Sequence, residues 1–189
     1  STSSISLKWD MVTDAEGYNV YRDGQKVSTV TEPSFVDSKL SYETQYCYTV
    51  TTITNYGEYF VRIFISALCG FVIGYERKNR NKEAGIRTHV IVAVASCLMM
   101  IVSKYGFQDM GEARFDGSRI ASQIVSGIGF LGAGMIFVHK NSIKGLTTAA
   151  GIWATSGIGM SVGSGLYLVG MITTVFIVFL QVFLHIEFK

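Results

Sequence analysis

Proline, cysteine and charge are all scarce in this 189-residue chain, which has one proline, three cysteines and 16% charged residues. Three cysteines cannot complete a paired disulfide framework, and none stands in a CxxC or Cys/His ligand spacing. Secreted disulfide scaffolds and zinc modules are therefore excluded. Sixteen Lys/Arg against fourteen Asp/Glu leave a net charge of +2, too little for a nucleic-acid binder. Disorder is excluded as well, because 49% hydrophobic residues give the chain more to bury than to solvate. What is present is apolar surface and twenty glycines. A mean hydropathy of +0.34 points to the membrane.

That average hides a break at Tyr56. Residues 1–56 carry 4 Lys/Arg and 7 Asp/Glu, a net of −3, whereas residues 57–189 carry 12 and 7, a net of +5. Pro33 lies in the first part and eighteen of the twenty glycines in the second. The two parts are built for two solvents, giving domains at 1–56 and 57–189.

The first part reads as short strands. ISLKWDMV alternates Ile5, Leu7 and Trp9 with Ser6, Lys8 and Asp10. Asp23-Gly24 sits between two β-rich runs, a hairpin signal because both turn positions need positive φ. PSFVD and QYCYTVTTI supply further strands, so a partial β-sandwich is expected. Trp9 in LKW, Tyr18 and Tyr21 in GYNVYRDG, and the YCYTV run resemble a truncated fibronectin type III module over about residues 4–56. The family's first and last strands are missing from this stretch, leaving edges that must pair or be covered. Asp10, Asp14, Glu16 and Asp23 read as solvated surface. No Pro/Gly/Ser linker marks the junction near Tyr56–Tyr59, which reads as a fusion point, engineered or recombined.

From Tyr59 the pattern is that of a lipid-facing chain. A spanning helix needs about 20 mostly apolar residues. Tyr59–Tyr75, His89–Phe107 and Ile120–Val138 are candidates, with Arg62 close enough to an end to snorkel. Leu146–Ile186 then runs for 41 residues without a formal charge. As helix this is about 60 Å, twice the roughly 30 Å hydrocarbon thickness. It must fold back, most cheaply at Ser161–Gly165. The expected fold is mixed: a polytopic α-helical membrane domain of five spans behind the β segment.

Loop charges set the orientation. Arg77, Lys78, Arg80, Lys82 and Arg87 follow span one and place that loop in the cytoplasm. The next loop balances Lys104, Arg114 and Arg119 against Asp109, Glu112 and Asp116 and goes outside; Lys140 and Lys144 return inside. The amino terminus is thus outside and the carboxyl terminus inside. No cleavable signal is visible. Tyr59, Tyr75, Tyr105 and Tyr167 fall near span ends, as interfacial anchors do. A soluble domain with a buried core does not accommodate the 41-residue apolar run.

Gly127, Gly129 and Gly132 fit GxGxxG, but that fingerprint needs a preceding strand and an acidic residue about 20 positions on. Here both flanks are apolar, and the glycines read as surfaces for close helix packing, like Gly70/Gly74 and Gly159/Gly163. Such faces predict tightly packed helices within the chain or across a subunit boundary, and a homo-oligomer is expected. Polar residues gather at span ends: Glu76, Arg87, Thr88, His89, His139, Thr147 and Thr148 on the cytoplasmic side, Asp116, Arg119 and Gln123 on the other. Snorkelling or capping explains the arginines and Asp116 or Ser118 equally well. Gln123 shares a helix face with Arg119, and both Gln123 and His89 are expected to hydrogen-bond internally.

Three strings in order, GYERKNRNKEAGIRTH, SRIASQIVSGIGFLGAG and IKGLTTAAGIWATSGIGMSVGSG, resemble the transmembrane domain of the MgtC/SapB family over about residues 57–186. The resemblance implies a five-span bacterial inner-membrane protein linked to low-magnesium growth and virulence, acting on other membrane proteins including the ATP synthase. It carries over Glu76, Arg87, Thr88, His89, Arg119, Gln123, Gly127, Gly129, Gly132, Gly134, Thr147, Thr148 and Trp153. Many members have Asp-Pro-Ser-Arg where this chain has Asp116-Gly117-Ser118-Arg119, and many carry a soluble carboxyl-terminal domain beyond Lys189. A non-enzymatic regulator acting through helix contacts is expected, with lipid as solvent and no cofactor, metal or nucleic acid. The rival is a cation or solute transporter lined by Arg119, Gln123, His89 and Glu76. Only six acids follow Glu58, and none lies deep in a span, which disfavours a carboxylate cage for magnesium. An enzyme ranks third, since no nucleophile–base pair can be placed together.

Overall fold

The computed structural model describes residues 3–12, 15–54, 56–107, 116–139 and 142–187. Asp14, Asp109, Glu112, Arg114 and Lys140, assigned above to surface or loops, lie outside the described residues. Contacts divide the chain into two compact units, Ser1–Gly57 and Glu58–Lys189.

The first unit is antiparallel β. Strands β1 (Ser3–Lys8) and β4 (Ser34–Leu40) form one sheet, and β3 (Gln25–Val30), β2 (Ala15–Arg22) and β5 (Tyr48–Thr54) form the other in that order. Asp23 and Gly24 have φ of 50° and 79°, as the two-residue turn between β2 and β3 requires. Tyr18, Val20 and Leu40 are buried, and Trp9 meets Tyr18 edge-on at 5.3 Å. Asp37 joins the sheets: Arg22 Nη1 and the Tyr48 hydroxyl both donate to its Oδ2, at 2.9 and 2.8 Å.

The second unit is five helices: α1 (Tyr56–Asn79), α2 (Ile86–Tyr105), α3 (Ser118–Ala133), α4 (Leu146–Gly163) and α5 (Tyr167–Glu187). Three of them, α1, α2 and α5, are long and apolar enough to cross a membrane. Hydroxyl and glycine residues dilute the hydropathy of α4. The 41-residue run does fold back, with α4 ending at Gly163 and Gly165 at φ 96° before α5 begins.

Span three differs from expectation. The helix stops at Ala133 rather than continuing to Val138, and at 16 residues it is about 24 Å long. Two glycines in three positions, Gly132 and Gly134, weaken the helix end. The β-favouring Phe137 and Val138 then enter a short strand, β6 (Phe137–His139), paired with β7 (Ser142–Lys144). Gly145, at φ 88°, closes this hairpin onto α4, and a Cβ there would strike the Met135 carbonyl oxygen. The interior of α3 is only Ile124, Ile128 and Gly132, spaced by four.

Candidate functional site

The polar groups of the helical unit gather around α2, because glycines let two neighbours approach its backbone. From α1, a Cβ on Gly70 would stand 2.6 Å from the His89 carbonyl oxygen, and one on Gly74 2.6 Å from Ile86 Cα. From α4, a Cβ on Gly159 would overlap the Ala93 carbonyl oxygen, and one on Gly163 would lie 2.5 Å from that of Cys97. Small residues four apart permit this closeness in membrane helices.

Three polar pairs join α4 to α2 and to the loop before it. The Thr148 hydroxyl donates to Glu83 Oε2 at 3.0 Å, His89 Nδ1 lies 2.8 Å from Thr155 Oγ1, and Ser96 and Ser156 share a 2.8 Å hydrogen bond. Thr155 also donates to the Gly151 carbonyl at 2.8 Å. Its single hydroxyl proton is therefore committed, so His89 Nδ1 is the donor to Thr155 Oγ1. The other ring nitrogen, Nε2, is buried without a hydrogen-bond partner among the described residues.

At one end of this seam, Glu76 forms ion pairs with Arg80 and, at 3.9 Å, with Arg77. Glu83 lies beside them in the α1–α2 loop. Its own backbone amide and then the Thr148 hydroxyl hold its carboxyl below the usual range. A depressed carboxylate contributes stability above its unfolded value and loses it as pH falls through the folded one. Thr148→Val, which removes the hydroxyl at constant shape, should therefore melt below wild type near neutrality, with the gap closing in acid. Melting curves from pH 3 to 7 in detergent check this; a gap independent of pH would contradict it.

At the opposite end of α1, Arg62 is fully buried. Its guanidinium donates to Glu58 Oε1, to the Tyr105 hydroxyl at 2.8 Å, to the Tyr167 hydroxyl at 3.2 Å and to the Gly163 carbonyl at 2.9 Å. Tyr59, Tyr105 and Tyr167 present their rings to it at 5.1–5.9 Å. Arg62 therefore does not snorkel. It turns inward, where one side chain ties α1 to the ends of α2, α4 and α5.

The structure separates the expected polar set. Glu76, His89 and Thr148 are buried, Thr88 is half-buried, and Arg87 and Thr147 are exposed. Asp116 and Arg119 form an exposed pair at 3.8 Å; the Ser118 hydroxyl and amide donate to Asp116 and hold its carboxyl low. Gln123 is exposed rather than internally bonded, because it lies off the Ile124/Ile128/Gly132 stripe. Among the described residues, no hydrogen bond or ion pair joins Arg119 and Gln123 to His89 and Glu76. Of the glycines, a Cβ on Gly132 would meet Ala149 at 3.6 Å and Gly134 caps α3, while a Cβ on Gly127 or Gly129 would meet nothing within 4 Å, and Trp153 is half-exposed. No cluster of three metal-ligating side chains occurs among the described residues. Ser96, Thr155 and Ser156 carry no mark in the sequence; Arg62 does, as an expected snorkelling residue, although Glu58 four residues before it signals an ion pair instead.

Comparison with known proteins places residues 63–187 within a match to the MgtC family. Strands β1 to β5 lie outside the matched residues, whereas β6 and β7 lie within them. "Putative magnesium transporter YhiD" of Escherichia coli (strain K12) is 47% identical over 136 residues, covering 70% of this chain and 63% of that protein. Protein SapB of Bacillus subtilis (strain 168) is 42% identical over 111 residues, covering 57% and 48% respectively. Protein MgtC of Brucella abortus (strain 2308) is 41% identical over 111 residues, covering 59% and 44%. The chain thus spans less than two thirds of the length of these relatives. No solved structure matches it.

Proposed function

The chain belongs to the MgtC family of bacterial membrane proteins, and from that premise we propose that it is a non-enzymatic regulator acting by helix contacts. It sits in the inner membrane with five spans, amino terminus outside and carboxyl terminus inside, as the basic α1–α2 loop favours. Its targets are other membrane proteins, the ATP synthase among them, and its setting is adaptation to low magnesium. The observation that carries this reading is the α3 surface, where Gly127 and Gly129 leave open space flanked by an exposed Phe130 and Trp153. Two side-chain-free positions beside large aromatic ones suit a helix from another chain, whether a target or a second copy. Around Arg62 and along the α2–α4 hydroxyl pairs, buried polar groups bond to one another, which supports packing over passage there.

Transport is the competing reading, favoured by the name of the Escherichia coli relative. Purified protein in liposomes separates the two. The regulator reading expects magnesium flux no greater than in empty vesicles, and crosslinks from a cysteine at position 129 to a partner helix in native membranes. Magnesium-dependent flux abolished by Gln123→Ala would sink it.

A further inference from the structure

We propose that the basic end of the helical unit binds an anionic phospholipid in a cleft between the end of α1 and the facing sides of α4 and α5. The cleft has a volume of about 420 Å³. Its polar lining is Arg77, Arg80, Lys82, Thr147 and Gln181, and its apolar lining includes Ile177, Leu180 and Leu184.

Three cations share this wall, and no carboxylate lines it among the described residues. Glu76 is already ion-paired to Arg80 and lies 3.9 Å from Arg77 Nη1, while Glu83 accepts from Thr148. Arg77 is 4% exposed, yet its Nε and Nη2 have no hydrogen-bond acceptor among the described residues, and neither has Arg80 Nη1. Buried guanidinium donors without acceptors are costly, more so at membrane depth. A phosphate diester supplies acceptor oxygens in the geometry that arginine prefers. The Gln181 amide oxygen is also buried without a donor among the described residues, and a hydroxyl on the headgroup can provide one. The leucines and Ile177 of α5 then decide the source of the phosphate. They continue into an outer face bearing exposed Val175, Phe176, Phe179 and Phe183, so acyl chains have a surface to follow. Basic pockets between transmembrane helices recognise anionic headgroups in this way. The proposal rests on the bilayer setting alone, so flux or crosslinking results leave it untouched.

The test is native mass spectrometry of the full chain released from micelles. It is titrated with phosphatidylglycerol, with phosphatidylcholine of the same acyl chains, or with inorganic phosphate. Phosphatidylglycerol should be retained in excess of phosphatidylcholine. Arg80→Gln and Lys82→Gln should each weaken its apparent affinity about fivefold, the effect of one basic residue near an anionic headgroup. Arg119→Gln removes an exposed cation outside the cleft and should change nothing. If Arg80→Gln fails to fold on freeing Glu76, Lys82→Gln carries the test, its side chain being exposed. Equal retention of both lipids, or equal losses in Lys82→Gln and Arg119→Gln, would overturn the proposal. So would displacement of the lipid by inorganic phosphate at matched concentration, which would assign the site to a soluble anion.

Discussion

Replacing Arg62 with methionine should cost about 3–5 kcal/mol of stability, the range for removing one partner of a buried ion pair. The side chain is fully buried and serves four acceptors on four helices: Glu58, Tyr105, Tyr167 and the Gly163 carbonyl. Methionine fills similar volume but leaves all four without their donor. The Tyr167 hydroxyl keeps one bond, to Glu58 Oε1 at 2.9 Å, and this contact cannot neutralise the carboxylate. Arg62→Lys keeps the charge but lacks the planar fork, so it should fall between methionine and wild type. The double variant Arg62→Met/Glu58→Gln should recover part of the loss, since the stranded anion is gone. Unfolding in mixed micelles by denaturing detergent measures all four proteins. A methionine variant within 1 kcal/mol of wild type would show that the cluster is held by packing alone.

Two glycines two residues apart on α4 should respond with opposite signs. At Gly157 an added Cβ meets nothing within 4 Å, so Gly157→Ala should stabilise by about 0.5–1 kcal/mol through helix propensity. At Gly159 the Cβ would overlap the Ala93 carbonyl oxygen and lie 3.1 Å from Ala93 Cα. Both are backbone atoms and cannot swing aside, so α2 and α4 must separate. Gly159→Ala should cost about 1–3 kcal/mol, and Gly159→Leu should abolish the folded helical unit. The His89–Thr155 and Ser96–Ser156 bonds break with the separation, because they lie on the same contact. Melting temperatures of the two alanine variants provide the measurement. Equal shifts for positions 157 and 159 would refute the close approach.

Local chemistry was the legible part of this protein. The Asp23-Gly24 turn and the fold-back at Gly165 each need a positive φ, and residue type alone announces that need. The glycine pairs on α1 and α4 were legible for a similar reason, since a missing side chain at four-residue spacing implies contact with something. Arg62 was not. Its partners Tyr105, Gly163 and Tyr167 lie 43, 101 and 105 residues away, and sequence position near a helix end suggested snorkelling instead. The polar pairs that α4 makes with α2 and the loop before it are separated by 60 to 66 residues, so only folding brings them together. Gln123 shows the reverse error, because depth in an apolar run does not say which face is inside. Span three was overextended because hydropathy counts Phe137 and Val138 as readily in a strand as in a helix.

The polar seam also constrains how the protein is made. During synthesis α2 precedes α4, so His89 and Ser96 are made before the α4 hydroxyls they bond to exist. When α4 follows, its own hydroxyls and glycines give it little reason to leave the translocon alone. Each helix is the other's solvent for those groups, so under the proposed five-span topology α4 partitions into the bilayer by docking onto a segment already there. The order of the genes' codons, α2 ahead of α4, thereby becomes an assembly schedule.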